Sequence, residues 1–174
     1  MRQDIMIDER EVDAEAIRQA LLPRDIDDAR RLFLEYARWL KVDLCFQGFE
    51  REVAMLPGAY APPRGRLLLV GEPGEAFACI ALRPLEADIG EVKRLYVRPA
   101  RRGERWGDRL ARALLREART IGYRELKLDT LAWMHAARTL YARLGFKECA
   151  PYYDNPLDGA VYMSLALSSL APDR

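Results

Sequence analysis

Cysteine is scarce and scattered. Its three copies, Cys45, Cys79 and Cys149, lie far apart and form no C-x-x-C pair, so the spacing indicates neither a zinc site nor a disulfide framework. Histidine is scarcer still, with His135 alone. No apolar run is long enough to cross a bilayer, and the amino-terminal MRQDIMIDEREVDAEA is rich in acids where a secretion signal carries an apolar core. The absence of any address makes cytoplasmic residence, with no membrane partner, the expectation. Net charge is nearly absent as well: 28 Lys and Arg against 27 Asp and Glu leave +1. The molecule as a whole is therefore not a polyanion binder, and affinity for nucleic acid would have to come from a local patch. Internal repeats, low-complexity tracts and linkers are also missing.

What is plentiful is apolar side chain, half of the 174 residues. That suffices for one domain with its own core and no metal or disulfide support. A single domain over 1–174, with 1–14 as a polar lead-in, is the simplest organisation. Over IDDARRLFLEYARWL, with Asp25 as a candidate cap, Ala29, Leu32, Phe33, Tyr36, Ala37 and Leu40 recur at helical spacing. A shorter helix is expected near Phe46 to Met55. The period then changes. RLLLVGEPGEAFACIALRPL reads as two strands joined by a Gly-Glu-Pro-Gly turn, and EVKRLYVRP as a third strand.

From Gly107 to Ile121 the pattern is again helical, with Leu110, Ala111, Leu114, Leu115, Ala118 and Ile121 on one face and Gly122 suited to its end. RELKLDTL alternates as a strand, Met134 to Leu144 forms a helix stopped by Gly145, and GAVYMSLAL closes as a strand. Helices between strands imply some parallel pairing, while the hairpin and the final strand imply antiparallel pairing. The fold class is α/β: a mixed sheet with helices on both faces.

Local charge is where the sequence departs from its own average. VRPARRGERWGDRL, residues 97–110, places five arginines around two glycines at a strand-to-helix junction. A helix that starts directly after a strand aims its free backbone N–H groups at the turn, and its dipole favours anions there. Gly103 and Gly107 allow a close approach to backbone, and Arg102 and its neighbours supply charge-assisted bonds to phosphate oxygens. The motif is neither a Walker loop nor the dinucleotide G-x-G-x-x-G. The alternative, a solvated helix start whose arginines pair with surface carboxylates, stands beside it.

EVKRLYVRPARRGERWGDRLARALLREAR resembles the cofactor segment of the GNAT superfamily of acyl-CoA-dependent N-acetyltransferases, whose turn reads [QR]-x-x-G-x-[GA] after a strand ending in L-x-V-x-P. Downstream, AARTLYARLGF resembles the superfamily's A-x-x-L-Y-x-x-x-G-F helix. The likeness spans most of residues 15–167 and implies a mostly antiparallel central sheet, acetyl-CoA as cofactor, and acetyl transfer to an amine of a small molecule or protein by direct attack in a ternary complex. It places Arg102, Gly103, Glu104, Arg105, Trp106, Gly107 and Asp108 around the pyrophosphate and Leu95, Tyr96 and Val97 along the pantetheine arm.

Tyr141 matches the position whose phenol protonates the departing thiolate, and Glu91 the carboxylate that draws a proton from the amine; His135 is a weaker base candidate. Arg105 stands where the pattern has glycine, either swinging outward to add a phosphate contact, the preferred reading, or obstructing the cradle and weakening the site, and Met134 stands where many members have asparagine. Acceptor contacts are expected from Phe46, Phe49 and Glu50 and from Tyr152, Tyr153 and Asp154. A noncatalytic acyl-CoA sensor is the rival reading. Nucleic-acid binding is not expected, because Glu104, Asp108 and the acidic amino terminus offset the basic residues. A homodimer is compatible with the sequence.

Overall fold

A computed structural model describes residues 16–167; the lead-in expected over 1–14 lies outside them. Strand β1 (Ile17–Gln19) precedes helix α1 (Pro23–Leu40), a single 3-10 turn (Cys45–Gln47) and the short helix α2 (Phe49–Ala54). Strands β2 (Arg66–Val70), β3 (Ala78–Pro84) and β4 (Ile89–Val97) follow, then helix α3 (Trp106–Ile121), β5 (Glu125–Leu131), helix α4 (His135–Arg143), β6 (Lys147–Glu148) and β7 (Ala160–Ala166).

Helix α1 begins two residues before Asp25, at a proline whose missing N–H costs nothing in a first turn. Asp25 therefore lies inside the helix rather than capping it from outside. Its carboxylate nevertheless accepts hydrogen bonds from the amides of Leu21 and Leu22, at 3.1 and 3.0 Å. The apolar stripe read from the sequence is the buried one, with Ala29, Leu32 and Phe33 fully enclosed. Helix α3 likewise buries Leu110, Ala111, Leu114, Leu115 and Ala118, and ends where Gly122, at φ 100°, turns its N–H back to the carbonyls of Ala118 and Arg119.

The strands form one seven-stranded sheet in the order β1-β2-β3-β4-β5-β7-β6. Every pairing is antiparallel except β4 with β5, since a helical crossover, α3, joins those two. One core lies between the sheet and α3 with α4, the other between the opposite face and α1 with α2. The hairpin turn forms where Glu75 donates to the carbonyl of Glu72, at 2.8 Å, and Phe77 closes the loop on Val70. Strands β1 and β6, at the two sheet edges, are too short to show alternation and have no counterpart in the sequence reading. Among the described residues no helix is long and apolar enough to cross a membrane.

Candidate active site

The site begins with a pairing that stops early. β4 and β5 are in register only from Ile89 opposite Glu125 to Glu91 opposite Lys127. Beyond that point the two strands diverge, so the β5-facing backbone edge from Val92 to Val97 has no ladder partner. On its other side β4 carries a bulge: Cys79 faces Tyr96 while Ala81 faces Lys93, which leaves Arg94 and Leu95 opposite Ile80 alone. Arg94 takes the extra residue's strained conformation, φ 59°. A non-glycine residue in that region costs about 1–3 kcal/mol and persists only where its surroundings over-determine it. Here they do: Glu52 accepts from Nε at 2.8 Å and Nη2 at 3.2 Å, Gln47 accepts from Nη1 at 2.9 Å, and the guanidinium lies over the Phe49 ring.

Two cavities open into the wedge. The larger, about 550 Å³, runs from the free edge of β4 at Leu95, Tyr96 and Val97, past Trp39 and Met134, to the turn at the start of α3. Of the ten residues expected around the cofactor, all but Glu104 line it. Glu104 is turned away, held by Arg101 at 2.8 Å and by the Trp106 indole N–H at 2.9 Å. The walls also include Trp39, Ala137, Leu140 and Arg143, residues from α1 and α4 that only tertiary packing brings to the turn. None of the amides from Gly103 to Asp108 donates to a protein acceptor among the described residues, and no side chain caps α3. They converge at one end of the cleft with the helix dipole behind them.

The five arginines divide by role. Arg98 is spent on Glu35, at 2.7 and 3.0 Å, pinning the end of β4 to α1. Arg101 is spent on Glu104 and the Phe77 ring, and Arg109 lies over Trp106. Arg102 lies at the cleft mouth, over Trp39 and donating to the carbonyl of Val97 at 3.0 Å. Arg105 sits at φ 65° as the N-cap residue of α3, with its side chain 71% exposed and only a 3.8 Å ion pair to Asp108. It keeps the left-handed backbone that a glycine would adopt there, and its side chain points outward. Arg98 and Arg109 thus lie outside the cleft lining, whereas Arg101, Arg102 and Arg105 are part of it.

The smaller cavity, a chamber of about 50 Å³, shares Leu95, Met134 and Ala137 with the cleft and reaches inward to Lys93, Asp129, Gln47 and Tyr141. Tyr141 packs edge-on against Phe146, and its hydroxyl has no protein partner among the described residues. Burial raises its pKa well above the usual phenol range, so the hydroxyl stays protonated. Lys93 is 6% exposed, and burial lowers its pKa against the opposing pull of Asp129 and Glu91. Asp129 accepts from Lys93 at 3.3 Å, from the Tyr153 hydroxyl at 2.8 Å and from Asn155 at 3.3 Å.

Glu91 lies elsewhere. It is 1% exposed, ion-paired to Arg83 at 2.7 Å and accepts from the Tyr152 hydroxyl at 2.8 Å; it lines neither cavity. A strand-opening glutamate reads as exposed in the sequence, and the arginine across the ladder is what permits its burial.

The two segments expected to meet the acceptor do come together, through Gln47 donating to the Tyr153 hydroxyl at 3.1 Å. Their chamber-lining members, however, are Leu44, Gln47 and Leu157. Phe49 is buried under Arg94, Phe46 is half-buried, Glu50 and Asp154 face solvent, and Tyr152 and Tyr153 brace Glu91 and Asp129. His135 is exposed and outside both linings. The sequence reading passed over Lys93 and Asp129. Alternation did not mark them, since in EVKRLYV and ELKLDTL they fall on the polar side of the strand, which reads as a solvated face, although Lys93 is 6% exposed.

Comparison with known proteins agrees with this architecture. The Acetyltransferase (GNAT) family profile matches residues 26–146. An uncharacterized N-acetyltransferase of Schizosaccharomyces pombe is 40% identical over 149 residues, 84% of this chain and 91% of that protein. An acyl-CoA N-acyltransferase from Klebsiella pneumoniae superposes with a TM-score of 0.66 at 29% identity, over 87% of this chain and 97% of that one. A Salmonella typhimurium acetyltransferase solved with its cofactor acetyl-CoA superposes with a TM-score of 0.61 at 21% identity, over 90% of this chain and 96% of that one. With the family profile over most of its length, the splayed β4–β5 wedge and the amide-lined turn that ends it, the chain belongs to the GNAT family of N-acetyltransferases, whose acyl donor is acetyl-CoA.

Proposed function

We propose that the 550 Å³ cleft holds acetyl-CoA, with its pyrophosphate on the turn from Arg102 to Asp108 and its pantetheine arm along Leu95 to Val97, and that the acceptor amine reaches the thioester from the chamber. The observation that carries this reading is the unpaired edge of β4. A strand edge inside a sheet is left open only where something else satisfies it, and this one leads directly to six amides without acceptors. The bound molecule supplies an acetyl thioester; the chain supplies placement and proton control.

Direct transfer in a ternary complex follows from what lines the two cavities. Neither wall includes a cysteine or a serine among the described residues, and Thr130 donates its hydroxyl to the Met134 sulfur at 3.6 Å. With no nucleophile poised to carry an acyl group, holding both reactants together is the available source of rate. Tyr141, protonated and unpartnered in the chamber wall, donates to the departing sulfur. Glu91, both of whose oxygens are engaged, braces Arg83 and Tyr152 in this reading instead of taking the amine's proton. The chamber has room for a few non-hydrogen atoms, about the volume of four waters. It therefore receives the amine end of a small molecule or of a polypeptide while the remainder stays outside.

Calorimetric titration with acetyl-CoA, followed by thiol release with a panel of small primary amines, tests the reading. Binding with sequential initial-rate kinetics is expected. Absence of binding, or parallel double-reciprocal lines, would overturn it.

A further inference from the structure

The chamber holds a buried lysine with no part in the chemistry described so far. We propose that Lys93, as a neutral amine, is the base that takes the proton from the acceptor's nitrogen, with Asp129 as its positioning residue. The proposal rests on the acyl-transfer reading above and adds the group that reading leaves unassigned.

The geometry around Nζ carries it. Lys93 lies on β4 two residues before Leu95, whose side chain belongs to both cavities. Nζ finds two acceptors, Gln47 Oε1 at 3.4 Å and Asp129 Oδ1 at 3.3 Å. Both contacts are longer than the roughly 2.7–2.9 Å of a charge-assisted pair. An ammonium needs three acceptors; a neutral amine donates twice and keeps one lone pair, and Lys93 is among the residues lining the chamber.

Gln47 Oε1 is also claimed by Arg94, at 2.9 Å, which sets a permanent cation beside the lysine. The other groups around it are Glu91 on the same strand, Arg83 on β3, Glu52 on α2, Asp129 on β5, and the phenols of Tyr36, Tyr141 and Tyr153. Burial and the two arginines favour the uncharged amine, while the carboxylates oppose them. The rival bases are occupied. Asp129 already accepts from three donors, Glu91 is held by Arg83 and Tyr152, and His135 lies outside the chamber.

In the step itself, Lys93 Nζ receives one N–H proton as the new C–N bond forms and the C–S bond breaks. The Tyr141 hydroxyl gives one proton to the sulfur. A proton then returns from Lys93 to Tyr141, so that the amine's proton ends on the thiol and both side chains are restored.

The chain contains four lysines, Lys41, Lys93, Lys127 and Lys147, so a lysine-selective 13C/15N NMR titration resolves them, with Lys93→Arg identifying the signal. Lys93 is expected to titrate below the ordinary lysine range. A Lys93 that stays protonated up to that range sinks the proposal, with no acceptor required.

Kinetics supply the second arm, with acetyl-CoA and either ethylamine or glycinamide as the probe amine. Lys93→Met and Lys93→Arg should both lose at least about a hundredfold in kcat/KM. They should also lose the acid limb of the pH profile, while acetyl-CoA still raises their melting temperatures as in the wild type. Retained activity in Lys93→Arg would show that the charge, not the lone pair, is what matters, and would overturn the assignment. If acetyl-CoA fails to bind even the wild type, the cofactor reading itself falls; if it binds and Lys93 proves ordinary, only this inference does.

Discussion

Gly107→Ala separates what the fold needs from what the cofactor needs. Gly107 is the second residue of α3 and, unlike Gly103, has no positive φ. A Cβ built there meets only Leu140 Cδ2, at 3.7 Å, an ordinary contact. Neither backbone conformation nor protein packing therefore asks for glycine at this position. Alanine should raise stability by about 0.5–1 kcal/mol through the smaller conformational entropy lost on folding, equivalent to roughly 1–4 °C in a chain of this size.

The cofactor should respond in the opposite direction, because the new methyl stands in the cleft wall where backbone amides face phosphate. Losing one charge-assisted hydrogen bond costs about 1.5–3 kcal/mol, at least a tenfold weaker Kd. At a ligand concentration one hundred times the wild-type Kd, the stabilisation by acetyl-CoA is about 2.7 kcal/mol. A tenfold weaker Kd reduces it to about 1.4 kcal/mol. Differential scanning fluorimetry with and without acetyl-CoA reads both numbers. A variant that melts higher alone yet gains about half as much from the ligand supports the argument; an undiminished ligand response would remove Gly107 from the cofactor site.

Other expectations are more compact. Tyr141→Phe should leave acetyl-CoA affinity within twofold while turnover falls about a hundredfold, as for a lost general acid; unchanged thiol release would reduce Tyr141 to packing against Phe146. Arg105→Gly removes left-handed strain of about 1–2 kcal/mol but adds about 0.5–1 kcal/mol of glycine entropy cost. Melting should thus shift little, whereas the salt dependence of acetyl-CoA binding should become shallower with one cation gone. A Gly variant that binds more tightly would mean that Arg105 obstructs the cradle. Glu91→Gln leaves Arg83, which is 30% exposed, with its 3.8 Å pair to Glu52, so the loss should be below the full 3–5 kcal/mol of a broken buried pair, about 2 kcal/mol. That corresponds to a melting drop of roughly 4–8 °C. A stable variant with no turnover would instead return Glu91 to the role of base.

Much of the fold was legible because each long element repeats one physical requirement along its length. Helix α3 places an apolar residue against the sheet at every turn, and the 16 residues from Trp106 to Ile121 carry that pattern from end to end. β1 and β6, with 3 and 2 residues, are too short to repeat anything. At the turn, the residues were legible because their chemistry is local: the strand's end, the glycines and the helix's first amides adjoin in the chain. The roles of the individual arginines were not. Whether Arg98 meets Glu35 or a phosphate depends on α1, 63 residues away. Glu91 and Lys93 are both charged strand residues in EVKRLYV, and nothing in that stretch distinguishes a carboxylate locked to Arg83 from an amine at the chamber wall.

Sequence alone determined the order of elements, the two faces of α1 and α3, and the anion-seeking turn, since each follows from periodicity or from groups adjoining along the backbone. Tertiary structure decided where β4 and β5 part, how the bulge at Arg94 is held, and which charges share the space between them. Those outcomes depend on partners from α1, α2, β5 and the loop before β7. The burial that lowers the pKa of Lys93 and raises that of Tyr141 exists only once those segments have closed over them.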